Sequence, residues 1–275
     1  MIEHHVSPAG DWETAVRPPH PALAPHVRRG YVGYAERVGA PLRRLEVPHD
    51  AIVVILNLGP PLLVGADTPT LRRSFVAGLH DRAVTTEHPG DQLGIQVDLT
   101  PLGARMLLGL PMGELARQVV DLDAVLPADL VDRLAARESW ADRFDLLDAF
   151  LLGRLRRAAP PRPDVAFAWS RLVQTHGALA VSQLCAELGC SRRHLAARFG
   201  EEVGLAPKAF ARVLRFQRVL DLLEREGGAG RFADIAAAGG YYDQPHLNRD
   251  FRAMAGCTPG EYLARLLPGG RGVAG

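Results

Sequence analysis

Several things are scarce in this sequence, and each scarcity narrows the possibilities. Among 275 residues there are three cysteines, Cys185, Cys190 and Cys257, an odd number confined to the C-terminal region. Such a set does not make a disulfide framework. No apolar run approaches the roughly 20 residues that a membrane span needs, so no membrane partner is expected. The start, Met1-Ile-Glu-His-His-Val, lacks the basic residues and continuous apolar stretch of a secretory signal, which makes a cytoplasmic location the expectation. Motifs for metal or catalytic chemistry are missing as well. The ten histidines are scattered, and there is no His-x-His with a following Glu, no His-Glu-x-x-His and no paired Cys-x-x-Cys. Cys185, Cys190 and His194 could be imagined as a zinc site, but Cys185 falls on an apolar helix face and Cys190 in a turn, which suits packing. No Ser, Cys or carboxylate pair sits in a catalytic motif, and Gly227-Gly-Ala-Gly reads as a loop between helices rather than a phosphate cradle after a strand. The expectation is a protein that is not an enzyme and carries no cofactor.

What is present is ordinary for a soluble globular chain: 47% hydrophobic and 23% charged residues. The length exceeds the usual size of one domain and predicts two cores. Net charge is only +1, but it is unevenly placed. From Val165 onward there are 14 Lys and Arg against 10 Asp and Glu, whereas residues 1 to 164 have 18 against 21. The basic region is the C-terminal one, a modest surplus that suits binding to phosphates without requiring it.

The first 125 residues are rich in Pro and Gly and contain β-prone runs, Ala51-Ile-Val-Val-Ile-Leu and Leu93-Gly-Ile-Gln-Val-Asp-Leu, separated by turn signals. Pro101 to Leu110 then reads as a short helix, with Thr100 as N-cap and Pro at its first position. Leu130, Leu134, Phe144, Leu147, Phe150 and Leu151 recur at helical spacing between Ala128 and Arg157 and predict one or two amphipathic helices. The run Ala158-Ala-Pro-Pro-Arg-Pro-Asp cannot continue a helix, because proline removes a donor and clashes with the preceding turn. The domain boundary is placed there, giving a β-rich region 1–125, connecting helices and linker 126–164, and a helical domain 165–267.

Inside the helical domain, a pair of segments resemble each other. One is Leu184-Cys-Ala-Glu-Leu-Gly-Cys-Ser-Arg-Arg-His-Leu-Ala-Ala-Arg-Phe199. The other is Ile235-Ala-Ala-Ala-Gly-Gly-Tyr-Tyr-Asp-Gln-Pro-His-Leu-Asn-Arg-Asp-Phe251. Each has a short apolar helix, a turn glycine, a capping residue (Ser191 or Asp243), then His, Leu and Phe at three, four and eight positions beyond the cap. Helix, tight turn and second helix is the helix-turn-helix pattern, whose second helix enters the major groove. Leu195, Phe199 and Val203 in one unit, and Leu247, Phe251 and Met254 in the other, form the anchoring stripe. The opposite faces then offer Arg192, Arg193 and Ala196, and Gln244, Asn248, Arg249 and Arg252. Arginine can reach both acceptors of guanine, and Asn or Gln can pair with adenine, although arginine on an exposed helix is commonly just solvated. Between the units Pro207 to Glu226 reads as one helix of 20 residues, about 30 Å long. That is close to one turn of DNA, so two heads on it could enter successive major grooves.

Residues from about Val165 to Leu267 resemble the C-terminal DNA-binding domain of AraC-type (AraC/XylS family) regulators. The resemblance rests on Gly239-Gly-Tyr-Tyr-Asp-Gln-Pro-His-Leu-Asn-Arg-Asp-Phe-Arg followed by Gly256-Cys-Thr-Pro-Gly-Glu-Tyr. It implies base contacts at Arg192, Arg193, Ala196 and Ala197 in the first recognition helix, and at Gln244, Pro245, Asn248 and Arg249 in the second. Ala196, Ala197 and Pro245 depart from the pattern, since their side chains cannot hydrogen-bond a base edge; contact with thymine methyl groups is the alternative. The family also implies a cupin-like N-terminal sensor and dimerisation domain, and the runs Phe75-Val-Ala-Gly-Leu-His-Asp-Arg and Leu99-Thr-Pro-Leu-Gly-Ala-Arg are similar to such domains. The expected fold is therefore α+β: a β-rich cupin-like N-terminal domain followed by an all-α domain with two helix-turn-helix units. Expected partners are a double-stranded DNA operator, a small-molecule effector, a second copy of the chain, and RNA polymerase if the protein activates. Trp12, His80, Arg82 and Gln96 are the candidate effector-binding residues. Two rival readings are an enzyme-like β domain with an accessory DNA-binding tail, and an interaction module that binds protein, or DNA without sequence preference.

Overall fold

A computed structural model describes residues 2–7, 10–66, 68–226, 232–266 and 273–275. The Gly227–Gly230 run and Leu267, the expected end of the helical domain, lie outside the described residues. The N-terminal domain is built of antiparallel strands: β1 (Ile2–Ser7), β2 (Gly10–Arg17), β3 (Val27–Arg37), β4 (Leu42–Glu46), β5 (Ile52–Asn57), β6 (Leu62–Gly65), β7 (Thr70–Arg72), β8 (Phe75–Ala77), β9 (Val84–His88) and β10 (Asp91–Leu99). A short strand β11 (Val119–Asp121) follows two helices, α1 (Pro101–Leu108) and α2 (Met112–Leu115). The strands form a seven-stranded sheet in the order β1-β2-β3-β10-β5-β8-β11 and a four-stranded sheet in the order β4-β9-β6-β7.

The two β-prone runs of the sequence become β5 and β10, which pair with each other at the middle of the larger sheet (Ile95 opposite Leu56). Because side chains alternate across a strand, this sheet buries both faces. Ile52, Val54, Leu56, Ile95, Val97 and Leu99 point into the main core, while Ile55 joins Leu62, Val64 and Phe75 in a second cluster facing the smaller sheet.

Thr100 caps α1 by accepting from the Gly103 amide at 3.1 Å, with Pro101 at the first position. Helices α3 (Asp129–Ala135) and α4 (Trp140–Leu155) follow. Helix α4 lies on the sheet: the Trp140 ring occupies the space that a side chain at Gly33 would need, and Asp148 accepts from the Tyr31 hydroxyl at 2.7 Å. The proline run separates α4 from α5 (Pro163–Gln174), and the chain continues through α6 (Val181–Leu188), α7 (Arg192–Val203), α8 (Pro207–Glu226), α9 (Phe232–Ala238), α10 (Gln244–Ala255) and α11 (Pro259–Ala264).

The length predicts two separate cores, yet one buried cluster runs from the sheet (Tyr31, Ile95) through α1 and α4 (Leu107, Leu147) to the C-terminal helices (Leu172, Phe216, Phe251). The cause is α2, whose Met112 and Leu115 are almost fully buried and whose backbone comes so near α7 that a side chain at Gly204 would meet the Met112 carbonyl at 3.0 Å. Arg105 of α1 pairs with the buried Glu202 of α7 at 3.5 Å, and Glu202 also accepts from the Arg162 amide at 3.0 Å. Further along, Gln217 of α8 donates to the Pro48 carbonyl at 2.6 Å.

Two turn glycines allow a graded test of this packing. Gly177, between α5 and α6, has φ +74° and sits where a β-carbon would lie 2.2 Å from the Ala211 carbonyl of α8; Gly189, after α6, has φ +62° but open space around it. Gly189→Ala is expected to cost about 1 kcal/mol, the left-handed backbone alone. Gly177→Ala must also push α8 away and is expected to cost roughly 2–3 kcal/mol or more. Thermal or denaturant unfolding of both variants checks the ranking, and equal losses would contradict the close approach of the turn to α8.

Candidate functional site

Helices α7 and α10 are made the same way, starting from their caps. The Ser191 hydroxyl accepts from the His194 amide at 3.2 Å and the Asp243 carboxylate from the His246 amide at 2.7 Å. Each cap satisfies one of the amides that a helix start leaves without a partner. Gly189 and Gly240, both at positive φ, make the preceding turns. The Cys190 amide closes the first turn on the Cys185 carbonyl at 3.1 Å; Cys185 is buried, and burial pushes the Cys190 thiol up, as expected of packing groups.

The apolar stripes anchor the helices as their spacing predicts. Leu195, Phe199 and Val203 of α7 are buried, as are Leu247, Phe251 and Met254 of α10. Both stripes pack on α8: the Phe199 ring lies 5.8 Å from Phe210, and Phe251 lies 5.0 Å from Phe216. Two arginines of α8 tie the units further. Arg215 donates to the Gly177 carbonyl at 2.8 Å on the first unit, and Arg218 to the Ala238 carbonyl at 2.6 Å on the second. Tyr262 of α11 packs edge-on against the same Phe251 at 5.6 Å.

The remaining faces are open. Arg192, Arg193, Ala197, Pro245, Arg249 and Arg252 are exposed, and Ala196, Gln244 and Asn248 are half-buried. Arginines of this domain divide into two groups. Arg171, Arg198 and Arg212 are held by Glu187, Asp164 and Asp250 at 3.1, 2.7 and 3.1 Å. Arg192, Arg193, Arg249 and Arg252 have no acidic partner within ion-pair distance among the described residues. Four unneutralised guanidinium groups on two helix faces form a surface suited to a polyanion. The structure adds Tyr242, 94% exposed in the turn before the Asp243 cap. Its signal in the sequence is an aromatic residue placed just outside a helix start, where no anchoring position falls.

The effector candidates do not stay together. His80 and Gln96 line a cavity of about 480 Å³ between the two sheets, which also borders α8 and α11. His80 bonds through Nδ1 to the Gly78 carbonyl at 2.7 Å, and burial lowers its pKa. Trp12 and Arg82 do not belong to the lining. Trp12 sits on β2, separated from β10 by β3, and stacks on His5 at 5.1 Å; Arg82 lies in the turn before β9. Tyr34, Glu46, Asp221, Glu224 and Tyr262 do line it. They come from elements far apart in sequence, and no local pattern joins them.

Residues 184–265 match a family described as a helix-turn-helix domain, and residues 15–121 match a domain of unknown function (DUF6597). No curated protein matches the chain. Among solved structures, apo ToxT from Vibrio cholerae is similar at 12% identity over 91% of this chain and 100% of its own, with a TM-score of 0.48. The C-terminal domain of AraT, a response regulator from Geobacillus stearothermophilus, is 19% identical over 38% of this chain and 88% of its own, with a TM-score of 0.35. The AraC-like transcriptional activator CuxR is 15% identical over 80% and 86%, with a TM-score of 0.32. Two capped helices mounted on one shared helix lie inside the matched region, so this part of the chain is a helix-turn-helix domain that carries two such units.

Proposed function

We propose that the protein binds a specific operator by laying α7 and α10 in successive major grooves on one side of the duplex, under control of the N-terminal domain. The domains run 1–125 for sensing and dimerisation, 126–164 for the connection and 165–267 for DNA binding. One observation carries the reading: the outward faces of the two capped helices carry arginines without acidic partners, while their inward faces are fixed to the same helix. On α7, Arg192 and Arg193 are the base-reading groups, with Ala196 and Ala197 against thymine methyl groups. On α10 the reading falls to Gln244, Asn248, Arg249 and Arg252, with Pro245 against a thymine methyl group. A small-molecule effector in the N-terminal cavity, or pairing of two copies through that domain, sets operator affinity. The protein acts in the cytoplasm and contacts RNA polymerase if it activates. Selection of bound fragments from the genome, followed by footprinting, tests operator binding directly; protection of a single groove or retention of random DNA would overturn it.

Arg193→Ala is expected to weaken operator binding by about 1–3 kcal/mol and to relax the preference at one base pair, as loss of a bidentate guanine contact should. Equal losses on operator and random DNA would make Arg193 a phosphate contact instead.

The rigid spacer makes a second prediction, read on the DNA so that the protein stays intact. Helix α8 has 20 residues and holds the heads about one DNA turn apart. Inserting five base pairs between the half-sites turns one away by about half a turn, and affinity is expected to fall at least about 100-fold. Inserting ten restores the face but not the distance, so a rigid spacer leaves affinity low. Recovery at ten base pairs, seen by electrophoretic mobility shift, would show the two units moving independently.

A further inference from the structure

The cavity between the sheets has a definite chemical character. Its floor is apolar, made by the second buried cluster of Ile55, Leu62, Val64 and Phe75. Its walls carry three arginines against six carboxylates. Two of the arginines are already neutralised: Arg28 pairs with Asp50, and Arg44 with Glu36. Only Arg29 then stands against Glu46, Asp98, Asp221 and Glu224, and no ion pair among the described residues engages any of these four. Three of the four accept from neutral groups: Glu46 from the Thr86 hydroxyl at 2.8 Å, Asp98 from the Gln96 amide at 2.8 Å, and Glu224 from the Tyr262 hydroxyl at 3.2 Å. His80 does not offset the surplus, because burial holds its pKa down.

Three aromatic rings, Tyr34, Phe75 and Tyr262, complete the lining. Rings and carboxylates around an apolar floor are the combination that attracts a cation with a greasy body, through the negative ring faces and the uncompensated charge. An anionic ligand would lose its hydration to meet four carboxylates against the single guanidinium of Arg29. A metal ion is a poor fit, because among the described residues no three His, Cys, Asp or Glu side chains converge to hold one. The volume suits a small organic molecule.

We propose that the cavity binds a hydrophobic organic cation, an ammonium group on an apolar body, as the regulator's effector. This rests on the reading that a ligand in the N-terminal domain governs operator binding. Its link to DNA is direct: Asp221 and Glu224 lie on α8 and Tyr262 on α11, so a bound cation joins the β domain to the helix that spaces the two reading heads. Near α8 the two domains meet through the Gln217 amide on the Pro48 carbonyl at 2.6 Å, at the edge of the same cavity.

The test uses the full chain and three probes of one shape: benzyltrimethylammonium, its uncharged carbon isostere neopentylbenzene, and phenylacetate as the anion. Calorimetric titration is expected to show saturable binding of the cation, at least about tenfold tighter than the isostere, and none of phenylacetate. The double variant Asp221→Asn, Glu224→Gln should weaken the cation about tenfold at an unchanged melting temperature. Should that variant fold poorly, Glu46→Gln on the exposed rim of β4 is expected to weaken it in the same direction. Equal or tighter binding of the isostere or of phenylacetate, or no binding of the cation at millimolar concentration, overturns the proposal. Operator affinity with and without the cation separates the two readings. A cation that binds yet leaves operator affinity unchanged upholds the cavity's ligand class and overturns effector control. An uncharged or anionic probe that binds and shifts operator affinity does the reverse.

Discussion

The arrangement of the DNA-binding half depends on one constraint: α8 has to bury two opposite stretches of its surface against two different helical units. Phe210, Val213, Phe216, Val219 and Leu223 are all fully buried, which leaves this long helix little freedom to rotate about its axis. Removing any of the larger ones would forfeit both transfer energy and packing, on the order of 3–5 kcal/mol for a phenylalanine. Since Phe199 packs on Phe210 and Phe251 on Phe216, the direction in which each recognition helix faces is set by the same rigid body. A dimeric helix-turn-helix protein fixes its half-site spacing with a subunit interface; in the proposed reading the covalent continuity of α8 does it within one chain.

The back of the first unit is also where the β domain attaches. Glu202 is a buried carboxylate at the end of α7, paired with Arg105 and Arg162 and bonded to a backbone amide. A buried pair of this kind adds little net stability, but losing one partner strands a charge and costs several kcal/mol. The contact therefore works as a positional key, because α1 and α7 must meet in one register for Glu202 to be satisfied. The outward face of α7 takes no part in it, which leaves Arg192 and Arg193 exposed while the domains are joined. Together with the contact of Gln217 on Pro48, this gives the β domain a hold on both the first head and the spacer.

How much of this could be read from the residues depended on range. Capping, helical periodicity and turn glycines are local, and Thr100, Ser191 and Asp243 cap helices where the sequence places them. The anchoring stripes followed for the same reason, since a spacing of four along a helix is also a position in space. The β domain was legible only as a class. Strand β10 pairs with β3 on one side and β5 on the other across long stretches of chain, and nothing local specifies that order. The effector candidates divided accordingly: His80 and Gln96 line the cavity, whereas Trp12 lies two strands away from β10. The acidic groups on α8 that close the cavity were invisible, because no local pattern signals that a helix of the DNA-binding domain touches the β domain.

Net charge is the measure that misleads most here, and the structure explains why. A chain of net +1 looks indifferent to DNA, yet charges on a surface are screened beyond about 8 Å at physiological salt. What a phosphate meets is the local face, and in the C-terminal domain the acidic residues are spent where they do not oppose it. Asp164, Glu187 and Asp250 neutralise arginines that serve packing, and Asp243 is turned onto a helix amide as a cap. Asp221 and Glu224 border the cavity. With those carboxylates engaged elsewhere, Arg192, Arg193, Arg249 and Arg252 keep their full charge on the outward faces of α7 and α10. The near-neutral total thus conceals a cationic face on α7 and α10 and an acidic cavity between the sheets.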